Sequence, residues 1–123
     1  MSILYLDETP ICGLVRIKRQ HNQLVQWCDI YIGRTCFRGG WQLSASKWQN
    51  KFTIAKEGSV EQACIKYYYH IKNSSLISEI EELRGKILGC WCDVPDKSLE
   101  EIINNPNCHG EVLMRLLVEN TIN

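Results

Sequence analysis

Four side chains near the C-terminal end have the types and spacing to do chemistry. In "LGCWCDVPDKSLEEIINNPNCHGEVLMRLL", Leu88 to Leu117, Cys90 and Cys92 stand one residue apart at the end of an apolar run, and Cys108 and His109 stand together at a helix start. In a strand, residues i and i+2 point the same way, so Cys90 and Cys92 share a face and Trp91 takes the other. A strand that leads through a loop into a helix puts its carboxyl end near that helix's N-terminus, where Cys108 and His109 lie.

Three readings follow. Three thiols and an imidazole form a tetrahedral zinc set, Cys90, Cys92, Cys108 and His109, worth on the order of 10 kcal/mol of folding energy. The spacing counts against it, because zinc knuckles use two-residue gaps and adjacent ligands reach one metal only with awkward rotamers. Without metal, a helix N-terminus binds anions and activates a nearby thiol. His109 and Gly110 would then frame a phosphate or carboxylate pocket at the carboxyl edge of a sheet, with Cys92, Cys108 and His109 as the candidate catalytic groups. The third reading makes the cysteines small buried hydrophobes and His109 a helix-start residue bonded to a backbone carbonyl.

A second set lies upstream. Residues 35–55 hold paired glycines and two Trp without period, a long loop carrying large aromatics. Arg34, Lys47 and Asn50 flank Trp48 there and would make an anion-binding or base-stacking lip. The plainer expectation is that Trp48 and Phe52 plug the edge of the core while Arg34 and Lys47 stay solvated. The run Tyr67 to His70 covers every face of a helical turn, leaving a ring for a partner surface; His21 and Cys12 have no assigned role.

These residues need a scaffold, and 123 residues suit one domain, 1–123. Fourteen acidic and fourteen basic side chains cancel, which makes nucleic-acid binding through overall charge unlikely. No apolar run approaches the ~20 residues of a membrane span, and "MSILYLDETP" lacks a basic, cleavable leader, so the expectation is an intracellular protein without a membrane partner. Seven cysteines at irregular spacing fit reduced thiols better than a disulfide framework.

The expected elements are strands at "SILYL", "CGLVRIKR" and "LVQWCDIYIGR", the last two joined by a turn at "QHNQ". A helix opens at Ser59, with Gln62 three residues on and Val60, Cys64, Tyr67, Tyr68 and Ile71 on one face. A second, "SLISEIEELRGK", stops at Gly85, and "KILGCWC" follows as a buried strand. Ser98 and Glu101 box a short helix that Pro106 ends, and a final helix runs from about His109 with Val112, Leu113, Leu116 and Leu117 inward. The fold class is α/β: a mixed sheet with an N-terminal hairpin and a C-terminal strand-helix crossover; the strand-end Cys with a Cys-His helix start also resembles, faintly, an uncharacterised intracellular family, and that resemblance implies Rossmann-like character.

The segments "IYIGR", "KWQNKF", "EGSVEQACIKYYYHI", "LRGKILGCWC" and "CHGEVLMRLL" occur in an order that resembles a family of phages, bacteria and large DNA viruses, the domain of unknown function number four-three-two-six. The pairing of "GCWC" with "CHG" is the specific part, and the likeness covers about 30–123, leaving 1–29 as lineage-specific strands that would pair with a sheet edge or with a second subunit in a homodimer. Two departures stand out: Gln49 and Lys51 replace the family's Gly and Pro, and Asp93 to Asn107 is an insertion. The resemblance implies a viral or phage-type protein of the host cytoplasm or virion. It locates a site at Cys90, Cys92, Cys108, His109 and Gly110 without naming a substrate. The expected function is binding of a nucleotide or other phosphate-bearing small molecule, with enzymatic turnover left open. The alternative is a non-enzymatic virion or host-interaction protein whose Cys/His cluster is structural, with zinc as the candidate cofactor.

Overall fold

The computed structural model describes residues 2–6, 9–17, 19–20, 23–24, 28–34, 45–91 and 97–122. Strands β1 (Ser2–Leu6) and β2 (Thr9–Arg16) form an antiparallel hairpin, with a register shift between Leu4 and Tyr5 where Pro10 enters the ladder. Pro10 has no N–H to give, and the ladder on the other side of β2 begins only at Gly13. Two further pairs of residues, β3 (Arg19–Gln20) and β4 (Gln23–Leu24), make a small separate ribbon around the expected turn, so the hairpin there is built from short strands rather than from the two long ones. Its turn residues lie outside the described residues.

The long strand expected up to Arg34 contributes only β5 (Ile30–Tyr31) to the main sheet. The reason is its partner: β6 (Ile87–Cys90) is only four residues long, and β5 pairs with its middle two, Ile30 opposite Leu88 and Tyr31 opposite Gly89. The Ile32 N–H extends the ladder by one bond to the Gly89 carbonyl at 2.9 Å. The Asp29 carboxylate accepts the Ile87 N–H at 2.7 Å and so fixes where β6 begins. The resulting order is β1-β2-β6-β5, with β6 parallel to both neighbours, a mixed sheet in an α/β fold.

Parallel neighbours require a crossover, and the chain between β5 and β6 supplies it. After α1 (Ile54–Glu57), stopped by Gly58 in the left-handed region at φ 93°, α2 (Val60–Lys72) starts from Ser59, whose hydroxyl accepts the Gln62 N–H. Ala63, Cys64, Tyr67, Tyr68 and Ile71 form its buried face. Ser75–Leu83, expected as α-helix, is a 3-10 helix. Its apolar residues Ile77, Ile80 and Leu83 recur every third position, and in a helix of three residues per turn they line up on one edge against the core.

After β6 come α3 (Leu99–Asn104), with its Ser98/Glu101 capping box in place, and α4 (His109–Ile122). Helix α4 packs on β2, β6, α2, α3 and the 3-10 segment. The core joins Leu4, Cys12, Leu14, Ile32, Leu88 and Cys90 from the sheet to Val112, Leu113, Leu116 and Leu117 from α4. Strand β2, ahead of Ile30, is an interior strand of this sheet, bonded to β6 from Gly13 to Arg16.

Cys12 sits in that core at 1% exposure, and burial, against the pull of the Arg84 guanidinium, pushes its thiol up from 9.0 to about 12. Burial raises the Tyr67 phenol in the same direction. The native state then keeps protons that the unfolded chain releases, so stability is full below about pH 9 and falls as pH rises toward about 12, with a slope of up to about 1.4 kcal/mol per pH unit for each group. Cys12→Ala, measured by urea unfolding between about pH 8 and 11, is expected to be less stable at neutral pH yet lose stability less steeply with alkali; an unchanged slope would show that Cys12 is not the titrating group.

Candidate functional site

The carboxyl end of β6 and the start of α4 meet at two sulfurs. Cys90 Sγ and Cys108 Sγ are 3.3 Å apart, the first fully buried and the second 2% exposed. Cys90 points to the helical side of the sheet because it shares a face with Leu88, two residues before it. Cys108 is the residue before α4, and its carbonyl accepts the Glu111 and Val112 N–H groups at 3.0 and 3.3 Å. Its sulfur accepts the Gly110 N–H at 3.4 Å.

His109 is held by the sheet. Its Nε2 lies 2.8 Å from the Ile32 carbonyl, an acceptor only, so Nε2 carries the proton of the neutral ring and Nδ1 is left bare. Nδ1 faces Cys108 Sγ at 4.0 Å. The Tyr67 ring meets the imidazole edge-on at 5.4 Å, and its hydroxyl donates to the Trp48 carbonyl at 2.5 Å. Burial first, and the neighbouring Cys108 second, keep that phenol neutral.

Gly110 does not face a pocket. A Cβ there would lie 2.5 Å from a Leu14 methyl and 3.1 Å from one of Ile32, so the glycine is what lets α4 come down onto β2 and β5. Within the first turn of α4, the Gly110, Glu111 and Val112 amides are already used by the sulfur and carbonyl of Cys108.

The upstream set is organised around Trp48. Its side chain is 1% exposed and its indole N–H donates to Glu82 at 2.7 Å, so its ring plugs the core and offers no face for stacking. Lys47 bridges Glu79 and Glu82 at 2.9 Å each, and these carboxylates hold its ammonium above the ordinary range. The Asn50 side chain accepts the Phe52 N–H, and its carbonyl accepts two bonds from the exposed Arg34 guanidinium, at 3.1 and 3.2 Å. Arg34 thus stands fixed two residues beyond Ile32, where His109 is anchored. Cys92 lies outside the described residues, and with it the full four-ligand zinc set. No group of three or more His, Cys, Asp or Glu side chains able to hold a metal assembles among the described residues. A cleft of about 230 Å³ opens elsewhere, between α2 and the end of α3, lined by Tyr68, Tyr69, Asn104 and Arg115 among others and by none of the cluster's side chains.

Sequence reasoning missed the group that pins this junction. Lys97 Nζ meets Glu111 Oε1 at 3.1 Å with side-chain exposures of 8% and 3%, and also bonds the Asn105 carbonyl and the Asn107 side chain. Glu111 further accepts the Asn107 N–H at 2.7 Å. The signal was there: Glu111 stands three residues after the cap residue Cys108, the place of the acidic partner in a capping box.

The family described as "Domain of unknown function (DUF4326)" matches residues 15–119, beginning inside β2 rather than at Ile30. The "Uncharacterized protein R718" of Acanthamoeba polyphaga mimivirus is 52% identical over 103 residues, covering 84% of this chain and 77% of the relative. No solved structure matches the chain. Among the described residues no helix is long and apolar enough to cross a membrane.

Removing one partner of the buried pair leaves the other charge unpaired. Lys97→Met is expected to cost about 3 kcal/mol in urea unfolding, and Lys97→Met with Glu111→Gln to recover much of it. A single variant as stable as the parent would show that the pair does not hold α3 to α4.

Proposed function

The chain belongs to the family described as Domain of unknown function (DUF4326) and has a viral relative, and on that premise we propose that the carboxyl edge of β5 and β6 binds a phosphate-bearing small molecule, such as a nucleotide, beside a Cys108–His109 pair. The observation that carries this reading is the bond from His109 Nε2 to the Ile32 carbonyl, which turns Nδ1 toward the Cys108 sulfur. A neutral imidazole with its proton fixed on one nitrogen is an acceptor at the other, the arrangement that activates a thiol. Arg34, fixed on the Asn50 carbonyl at the same edge, supplies the positive charge that a phosphate needs. The carboxyl ends of parallel strands are where open α/β sheets place their ligands.

The second reading, a structural cluster in a virion or host-interaction protein, draws on the near-complete burial of both thiols and on the same His109 bond to a backbone carbonyl, which a purely structural helix-start histidine also makes. Zinc at these residues belongs to that reading, and elemental analysis of the purified protein tests it.

The two separate in a melting assay with inorganic phosphate and a panel of nucleotides. The ligand reading expects at least one compound to raise the melting temperature, and Arg34→Ala or His109→Ala to weaken its binding about ten- to a hundredfold. If no compound shifts the melt of the parent protein, and His109→Ala merely lowers it, the cluster is structural.

A further inference from the structure

Two thiols in contact, one at the end of a strand and the other just ahead of a helix, are a reactant pair whatever ligand the edge takes. We propose that Cys90 and Cys108 are a site of oxidative modification, closing to an intramolecular disulfide when the protein meets a small peroxide. The inference goes beyond the ligand reading and does not rest on it.

The distance carries the proposal. At 3.3 Å the sulfurs are already in van der Waals contact, and a bond of about 2.05 Å asks for a little over an ångström of further approach. Cys90 ends a strand and Cys108 precedes a helix, and the chain between them is long enough that its loop need not resist closure. Burial selects the oxidant. With Cys90 fully buried and Cys108 2% exposed, a bulky disulfide such as oxidised glutathione cannot reach either sulfur in line, while hydrogen peroxide is little larger than water. The surroundings also distinguish the two thiols: Cys108 takes the Gly110 N–H on its sulfur and has the His109 Nδ1 beside it.

The chemistry balances in two steps. The Cys108 sulfur attacks one peroxide oxygen, the O–O bond breaks, and the departing hydroxide leaves as water with the thiol's proton, giving the sulfenic acid. The Cys90 sulfur then attacks the Cys108 sulfur, the S–O bond breaks, and a second water leaves with the Cys90 proton. Two thiols lose two electrons, and one peroxide becomes two waters. The product ties β6 to the start of α4 and consumes the Cys108 thiol, so a peroxide signal would switch off any thiol chemistry at this edge.

The test uses the full chain and a few equivalents of hydrogen peroxide, followed by alkylation, proteolysis and mass spectrometry. The expected result is a Cys90–Cys108 linked peptide, lighter by two hydrogens than the two thiol peptides, accumulating first and reversed by dithiothreitol. In C90S, a sulfenic acid at Cys108 is expected in its place, trapped by dimedone as the protein is unfolded in its presence. Cys90 and Cys108 remaining thiols while methionines oxidise would overturn the proposal, and so would preferential linkage of either to Cys92. The reading on the unmodified sequence requires no variant to fold, and neither outcome depends on whether phosphate binds.

Discussion

How closely one helix can approach two strands sets the geometry of this protein. Helix α4 comes down at Gly110, where a single added carbon would run into Leu14 on β2 and Ile32 beyond β5. Because the helix lies that low, its first residues meet the carboxyl ends of the parallel strands. His109 reaches the Ile32 carbonyl and Cys108 reaches Cys90. A larger residue at this position would lift the helix, and the imidazole and the sulfurs would separate together.

Two other interactions keep the helix start in place. The buried pair gathers the end of α3 onto the Lys97 ammonium and the residues before α4 onto the Glu111 carboxylate. Such a pair is poor evidence of stability in itself, since desolvation offsets most of its attraction, but it dictates which groups must be adjacent. On the other flank Tyr67 joins the imidazole to the Trp48 backbone, so the long crossover is tied to the cluster through one side chain. The site is thus assembled from three parts of the chain, each contributing a group that has its own structural bond.

What the sequence made legible is what local physics governs. The capping box at Ser98, the helix start at Ser59, the buried faces of α2 and α4, and the buried strand through Cys90 all rest on residues within a turn of one another, although that strand, expected to run on to Cys92, ends at Cys90. The adjacency of that strand end to Cys108 and His109 followed from topology alone. The 3-10 helix was missed because Leu76, Ile80 and Leu83 satisfy an α-helical stripe as well as Ile77, Ile80 and Leu83 satisfy a period of three, and both Leu76 and Ile77 pack on the core. Strand β5 was overdrawn because its β propensity exceeds the length of the partner it has to pair with. Trp48 as a core plug was foreseen, but its bond to Glu82 and the anchoring of His109 on a carbonyl 77 residues away in sequence are tertiary facts that no short window contains.

The account turns on the orientation of one imidazole, and nitrogen-15 NMR of His109 reads it directly. With the ring neutral, the proton is predicted on Nε2, donated to Ile32, with Nδ1 unprotonated beside the Cys108 sulfur. A neutral ring protonated on Nδ1 would contradict it, because the helix start would then not be held on the strand end and the imidazole would offer the Cys108 thiol no lone pair.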